Sequence, residues 1–177
     1  TRAQVVESGP LRAILDLQAG SESGSPAVAV TGRIEIFAGS STMRADITLL
    51  NPRRAQHPDG HWLLGDAGSV QLRSASLRLA PAGGVTEVKA GLCEEERLAQ
   101  VELPLELLQE SSGGDGWNRL VHVDRTGPVP LRFRGFRLKA GQTERTGDRA
   151  TPLLVASGTF GQWGLAVPGF WQNFPRA

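Results

Sequence analysis

Apolar and polar side chains alternate along several short stretches of this chain. In residues 28–37, aliphatic side chains are separated by Arg33 and Glu35, and residues 43–49 repeat the same pattern. A period of two places the apolar groups on one face of a β-strand and the charged groups on the other. Because a short loop that contains Gly39 joins the two runs, the pattern predicts a β-hairpin.

Other segments of similar length predict further strands and little helix. They are residues 11–18, 70–79, 85–90, 101–108, 130–139, 153–157 and 162–167, of which 130–139 is the clearest. Pro104 favours an edge strand or a bend, and one short helix is expected at residues 94–100, although its acidic run lacks a wide apolar stripe. With 22 glycines and 11 prolines to form turns, the chain is predicted to be an all-β, antiparallel β-sandwich.

Length and charge narrow the classes of function. The chain has 177 residues, which fit one β-sandwich domain, and we expect this domain to be excised from a larger multidomain protein. A net charge of +1 gives no general field toward nucleic acid or an anionic membrane, and no apolar run is long enough to span a bilayer. Neither is therefore expected as a partner. The single cysteine, Cys93, excludes a disulfide within the chain.

Residues that usually hold metals or act as nucleophiles are sparse. His57 and His61 are four residues apart, but Pro58 between them breaks any helix that would bring both to one face. Residues 94–96 are three consecutive glutamates, whereas a calcium-binding loop alternates its acids. The same acids disfavour a thiolate at Cys93, and no Gly-x-Ser-x-Gly motif occurs. We therefore expect no metal site and no cofactor.

One stretch, residues 116–137, combines arginines with an indole, an amide and an imidazole. Its candidate residues are Trp117, Asn118, Arg119, His122, Arg125, Arg132, Arg134 and Arg137. Arginine binds carboxylates through two parallel hydrogen bonds, and tryptophan stacks on sugar rings, so the stretch suits an acidic sugar. The alternative is structural: arginines on one face of a strand pair with acids on the next strand, the tryptophan lies in the core and the histidine is a satisfied polar group.

The same stretch carries a resemblance to a known family. Its motifs are Gly-Trp-Asn at 116–118, His-Val at 122–123, Arg-Thr-Gly at 125–127 and Pro-Leu-Arg-Phe-Arg-Gly-Phe-Arg at 130–137, with Gly-Asp-Arg-Ala-Thr-Pro at 147–152. The closing Phe-Trp-Gln-Asn-Phe-Pro-Arg-Ala at 170–177 is the most specific. In these motifs the chain resembles the exo-rhamnogalacturonan lyase (YetA-like) family over nearly its whole length, with a looser match at residues 51–108.

The resemblance implies a fold, a reaction and partners. The chain would be the central β-sandwich, of the galactose-mutarotase or supersandwich type, between a β-rich domain and a helical domain. The whole protein would be a secreted or cell-surface polysaccharide lyase that cleaves uronate-containing pectin by β-elimination. Its partners would be an acidic polysaccharide or oligosaccharide and the adjacent domains of the same chain.

The resemblance also implies roles for single residues. His122 would be the base that removes the proton at C5 of a galacturonate, and Arg134 would hold the carboxylate, with Arg125 or Asn118 as alternatives. The residues expected to bind substrate are Trp117, Asn118, Arg119, Arg125 and Arg132. Because the chain contains no tyrosine, a catalytic tyrosine would have to come from an adjacent domain.

Three hypotheses remain open at the level of sequence. If the chain forms part of a lyase active site, His122 and the arginines should face one open cleft. If it is a non-catalytic carbohydrate-binding or scaffolding module, they should be paired with acids or turned into the core. If it is a binding protein unrelated to sugars, no aromatic platform should lie beside them. On the first two hypotheses the isolated domain is expected to be inactive, and residues 170–175 to pack against a neighbouring domain.

Overall fold

The fold is built almost entirely from antiparallel β-strands. A computed structural model describes residues 2–19, 28–54, 56–57, 63–70, 72, 75, 77–78, 80–115 and 123–173. Half of the described residues, 50%, lie in strands and 2% in helix, the latter being the 3-10 turn Trp171–Asn173. The predicted all-β, antiparallel, sandwich-like fold is therefore confirmed.

The described residues separate into two compact units, Thr1–Ser74 and Ala75–Ala177. The first contains one four-stranded sheet in which each strand pairs with the next along the chain. Its strands are β1 (Arg2–Ser8), β2 (Arg12–Ala19), β3 (Ala29–Phe37) and β4 (Met43–Leu50). The predicted hairpin of two alternating runs is the β3–β4 pair.

The register gives the first sheet one apolar and one charged face. Ile47 of β4 lies opposite Gly32 of β3, and a Cβ at position 32 would come within 3.1 Å of Ile47 and 3.4 Å of Leu17. The neighbouring apolar side chains therefore fill the space that Gly32 leaves. Met43 and Leu49, which share the face with Ile47, are 57% and 46% exposed, so this apolar face is largely open to solvent.

Ion pairs line the opposite face of the same sheet. Arg33 of β3 donates two hydrogen bonds to Asp16 of β2, at 2.9 and 3.0 Å, and Arg12 binds Glu7 of β1 in the same manner. The hydrogen bonds from Arg33 hold the pKa of Asp16 below its ordinary value. Exposed pairs of this kind stabilise the sheet little, but opposite charges on adjacent strands favour the observed register.

The second unit contains two further sheets and a two-stranded ladder. One sheet has the order β11–β10–β7 and the other β13–β12–β5–β6. The strands are β5 (Val85–Gly91), β6 (Ala99–Val101), β7 (Leu105–Gln109), β8 (Val123–Asp124), β9 (Gly127–Pro128), β10 (Phe136–Ala140), β11 (Thr143–Gly147), β12 (Leu153–Gly158) and β13 (Gly161–Ala166). The predicted hairpin at the end of the chain is the β12–β13 pair.

The apolar core of the second unit joins its sheets. Leu107 of β7 and Phe136 and Leu138 of β10 form one buried cluster. Leu92, which follows β5, and Phe170, which follows β13, belong to the same cluster. Apolar side chains from the three-stranded sheet thus pack against the segments that leave the four-stranded sheet, as in a sandwich.

Several elements differ from the sequence prediction. Residues 130–139 do not form one strand, because residues 132–135 are a bend and the strand begins at Phe136. The expected helix at residues 94–100 is a turn followed by strand β6, since Glu96 binds back to the backbone of Leu92. Within residues 70–79, none of the described positions lies in a strand.

Candidate functional site

The candidate site lies where three loops of the second unit converge around the buried side chain of Gln109. The Gln109 amide donates to the carbonyl of Asp148 at 2.8 Å and to that of Ser111. Its oxygen accepts the N–H of Ala150 at 3.0 Å. Gln109 is completely buried, so the last residue of β7 fixes two separate loops by satisfying their backbone groups.

Ser111 fixes the third loop in the same way. Its side chain is fully buried, and its hydroxyl oxygen accepts the N–H of Gly113 at 3.3 Å and of Gly135 at 2.9 Å. The N–H of Glu110 donates to the carbonyl of Gly135 at 2.9 Å. We refer to residues 110–115, 131–135 and 147–151, which these bonds hold together, as the loop cluster.

Two glycines allow the backbones of the loop cluster to approach closely. Gly135 has φ +74°, and a Cβ there would lie 2.0 Å from the carbonyl oxygen of Gly147. Gly113 has φ +73°, and its Cβ would lie 2.4 Å from the oxygen of Asp148. Both positions require glycine for conformation and for space, so the loop cluster is a tightly packed platform for its side chains.

Arg132 is held by a carboxylate. Its guanidinium donates two hydrogen bonds to Glu110, one of them from Nε at 3.1 Å, and its backbone N–H donates to the same carboxylate at 3.3 Å. Because the Glu110 side chain is only 10% exposed, this is a partly buried ion pair. The hydrogen bond from Arg132 to Glu110 raises the pKa of the guanidinium, so Arg132 stays charged.

Arg134 also faces carboxylates, although at the surface. Its Nη2 lies 3.1 Å from Asp115 and its Nε 3.9 Å from Asp148, while Nε donates to the carbonyl of Gly113. The side chains of Asp115 and Asp148 are 97% and 73% exposed. Water screens such pairs strongly, so Arg134 is positioned by its backbone contact more than by its charge.

A third arginine of the loop cluster, Arg149, is stacked on an indole. Its Cζ lies 4.4 Å from the centroid of the Trp171 ring, and its Nε donates to the carbonyl of Ser112 at 3.0 Å. The side chain is exposed, while Trp171 is half-buried. Among the described residues, no acidic side chain forms an ion pair with Arg149.

The remaining sequence candidates fall elsewhere or outside the described structure. Arg125 lies in the turn between β8 and β9, where Thr126 binds the carboxylate of Asp124 at 2.7 Å. Trp117, Asn118, Arg119 and His122 lie outside the described residues. In the chain they directly follow residues 110–115, which contact Arg132, Arg134 and Arg149.

Sequence reasoning missed several residues of the site. Arg149 and Trp171 belong to motifs on which the family resemblance rests, but their spacing gave no signal that they stack. Gln109 and Ser111 lie in an ordinary alternating run and a polar loop. A hydrogen-bonding side chain at the end of an apolar strand was the one available sign of a buried polar anchor.

The loop cluster is a surface rather than an enclosed pocket. Two clefts in the described part of the molecule are lined by residues 86–87 with 100–103 and by residues that include Leu107 and Leu165, and neither is lined by a candidate residue. Within the described ranges, no group of three or more metal-binding side chains comes together. The described residues also contain no helix that is long and apolar enough to cross a membrane.

Comparison with known proteins gave no relative. No protein-family model matches the chain, and searches of curated proteins and of solved structures found no match either. The motifs of the chain and the geometry of the loop cluster are therefore the observations that bear on its function.

Proposed function

We propose that this chain is the β-sandwich module of a polysaccharide lyase similar to the exo-rhamnogalacturonan lyases. Its loop cluster would face a uronate-containing pectin chain. The observation that carries the proposal is the convergence of Arg132, Arg134 and Arg149 on residues 110–115. Guanidinium groups on one rigid platform suit an acidic sugar, because guanidinium binds carboxylates, and the Trp171 indole holds one of these groups in place by stacking.

The proposed reaction is β-elimination at a galacturonate. A base removes the proton from C5, the electrons form the C4–C5 double bond, and the oxygen at C4 leaves with the neighbouring sugar. Loss of the proton increases the negative charge on the carboxylate, so a cation or hydrogen-bond donor beside it lowers the barrier. His122 is the proposed base and an arginine of the loop cluster the proposed cation.

A second function is favoured by the ion pairs of the site. Arg132 binds Glu110, and Arg134 lies beside Asp115 and Asp148. Paired arginines are the arrangement expected of a non-catalytic carbohydrate-binding or scaffolding module. In that case the chain holds the polysaccharide, and the base belongs to an adjacent domain.

Turnover of rhamnogalacturonan oligosaccharides separates the two functions. We would follow the ultraviolet absorbance of the unsaturated product for this chain and for the longer protein that the resemblance implies. The variants are His122→Gln and, as a matched control outside residues 116–137, His61→Gln. We expect the longer protein to be active and His122→Gln to lose at least a hundredfold in kcat, as removal of a general base does.

Each other outcome has a defined meaning. Turnover that is insensitive to His122→Gln supports the scaffolding module and rejects His122 as the base. Binding of acidic oligosaccharides without turnover supports a carbohydrate-binding module. The absence of both turnover and binding contradicts the proposed function.

A further inference from the structure

The three arginines of the loop cluster differ in what a ligand would have to displace. Arg132 is bound to Glu110, whose side chain is 10% exposed. A ligand carboxylate that took Arg132 would first have to displace this poorly solvated carboxylate from two hydrogen bonds with the guanidinium, which is unfavourable. The geometry therefore assigns Arg132 to the structure of the platform.

Arg134 is a poor anion site for a different reason. Asp115 lies 3.1 Å from its Nη2 and Asp148 3.9 Å from its Nε. A ligand carboxylate would compete with these two carboxylates for the same guanidinium, even though water screens both exposed groups.

Arg149 presents the opposite case. The Trp171 ring lies 4.4 Å from its Cζ and sets the plane of the guanidinium, while the Ser112 carbonyl accepts from Nε at 3.0 Å. The stacking and the Nε hydrogen bond do not use Nη1 and Nη2, which remain as a pair of donors at the outer end of the guanidinium. Two such parallel donors match the two oxygens of a carboxylate.

A glycine makes room for the Arg149 guanidinium. A Cβ at Gly114 would lie 2.8 Å from Nη2 of Arg149. Gly114 has no φ in the left-handed range, so an alanine there causes no backbone strain. The atoms that its Cβ would meet belong to the end of the flexible Arg149 side chain. The Gly114→Ala substitution should therefore displace the guanidinium without removing its charge.

From these contacts we infer that Arg149, held on Trp171 and the Ser112 carbonyl, binds the carboxylate of a uronate residue. The inference rests on the proposed function and names the recognition group within it. Arg149 is assigned to binding the substrate carboxylate, the role that the sequence gave to Arg134. The site discriminates an acidic sugar from its neutral counterpart.

The test combines two ligands with three proteins. The ligands are a galacturonate oligosaccharide of defined length and the same oligosaccharide with its carboxylates reduced to alcohols, titrated by calorimetry or NMR. The proteins are the unsubstituted chain, Arg149→Gln and Gly114→Ala. We expect the unsubstituted chain to prefer the acidic ligand at least tenfold, and each variant to lose most of this preference while binding the neutral ligand within threefold of the unsubstituted chain.

A control variant excludes general damage, and a second variant tests the competing assignment. Gly164→Ala introduces a Cβ that meets no atom within 4 Å and should leave the preference unchanged. Arg134→Gln removes the guanidinium to which the sequence gave the carboxylate, and it should reduce the preference less than Arg149→Gln does. Loss of the preference in Arg134→Gln alone assigns the carboxylate to Arg134 and overturns the inference. An equal loss of affinity for both ligands in Arg149→Gln also overturns the inference. So does the absence of any preference for the acidic ligand in the unsubstituted chain. The turnover measurement decides the proposed function separately.

Discussion

At the scale of single residues, the loop cluster depends on polar side chains that are fully buried. The hydroxyl of Ser111 accepts two backbone N–H groups, those of Gly113 and Gly135. A buried donor that loses its acceptor costs about 1–3 kcal/mol. Because two donors share this acceptor, loss of the Ser111 hydroxyl should lower the free energy of unfolding more than the loss of a single hydrogen bond would.

Ser111→Ala should lower the free energy of unfolding by about 2–3 kcal/mol, because both N–H groups lose their acceptor. The measurement is urea unfolding followed by circular dichroism. Ser157→Ala is the matched control, since the Ser157 hydroxyl accepts only one exposed hydrogen bond, from Gln162, and should change stability by less than about 0.5 kcal/mol. Equal effects of the two substitutions would contradict this account of the loop cluster.

Gly135→Ala tests the close approach of the loops. The new Cβ would meet the Gly147 carbonyl at 2.0 Å, and φ is +74°. The left-handed backbone alone costs about 1–3 kcal/mol, and movement of the Gly147 segment adds to it. Gly161→Ala carries a similar φ of +91° with no atom within 4 Å, so thermal unfolding should show a clearly smaller loss for it.

The pH dependence of stability should reveal Glu96. Its carboxylate accepts hydrogen bonds from Arg145 and from the N–H of Leu92, and these lower its pKa. Because the folded pKa lies below the unfolded one, the stabilisation is complete above about pH 4.3, the usual value for glutamate, and is lost as the pH falls through the folded pKa.

Glu96→Gln should therefore reduce the difference in unfolding free energy between neutral and acidic pH. Urea titrations at several pH values between neutrality and the acidic range measure this difference. Glu95→Gln, an exposed neighbour, should retain the pH dependence of the unsubstituted chain. An unchanged pH dependence in Glu96→Gln would show that Glu96 is not linked to folding.

At the scale of elements, the alternation of apolar and polar residues predicted strands well where one face of the sheet is consistently apolar and the other consistently charged. Strands β3 and β4 were predicted from period two alone because their apolar and charged faces are consistently separated. The prediction was wrong for residues 130–135, where alternation continues through a bend. There the backbone N–H of Arg132 binds Glu110 rather than a neighbouring strand, and a side-chain pattern contains no sign of that partner.

The open apolar face of the first sheet leads to a separate prediction. Ile47 is 44% exposed on this face, whereas its neighbour Thr48 points to the charged face. Exposed apolar patches bind hydrophobic dyes and promote association. The chain should therefore enhance the fluorescence of such a dye, Ile47→Asp should reduce the enhancement, and Thr48→Asp should not.

A dye signal that is equal in Ile47→Asp and Thr48→Asp would contradict this assignment of the open face. Sedimentation at increasing concentration provides a second readout. Self-association that decreases in Ile47→Asp alone would agree with the dye measurement.

At the scale of the whole molecule, the sequence was sufficient for the fold class, and it named two arginines that the structure places in the loop cluster. Arg132 and Arg134 were found because they lie in one short stretch. Arg149 and Trp171 are far from that stretch in the chain, and tertiary contacts with Ser112 and with each other place them at the loop cluster. Since these contacts depend on the buried Gln109, no local pattern could have predicted them.

The family resemblance selected residues that the alternation of apolar and polar side chains does not select. Trp117, Asn118, Arg119 and His122 were selected by resemblance and lie outside the described residues, so their roles stay predictions. The described loop that precedes them contacts all three arginines of the site. In the sequence, these candidates therefore follow the described loop at residues 110–115 almost directly.

We propose that the loop cluster faces an acidic sugar chain. NMR mapping of this chain during titration with a rhamnogalacturonan oligosaccharide tests this proposal. We predict that the largest shifts occur at the backbone amides of Ser112, Gly114 and Arg149 and at the indole N–H of Trp171, and that they decrease with added salt. Shifts confined to the first unit, or no shifts at saturating oligosaccharide, would contradict the claim.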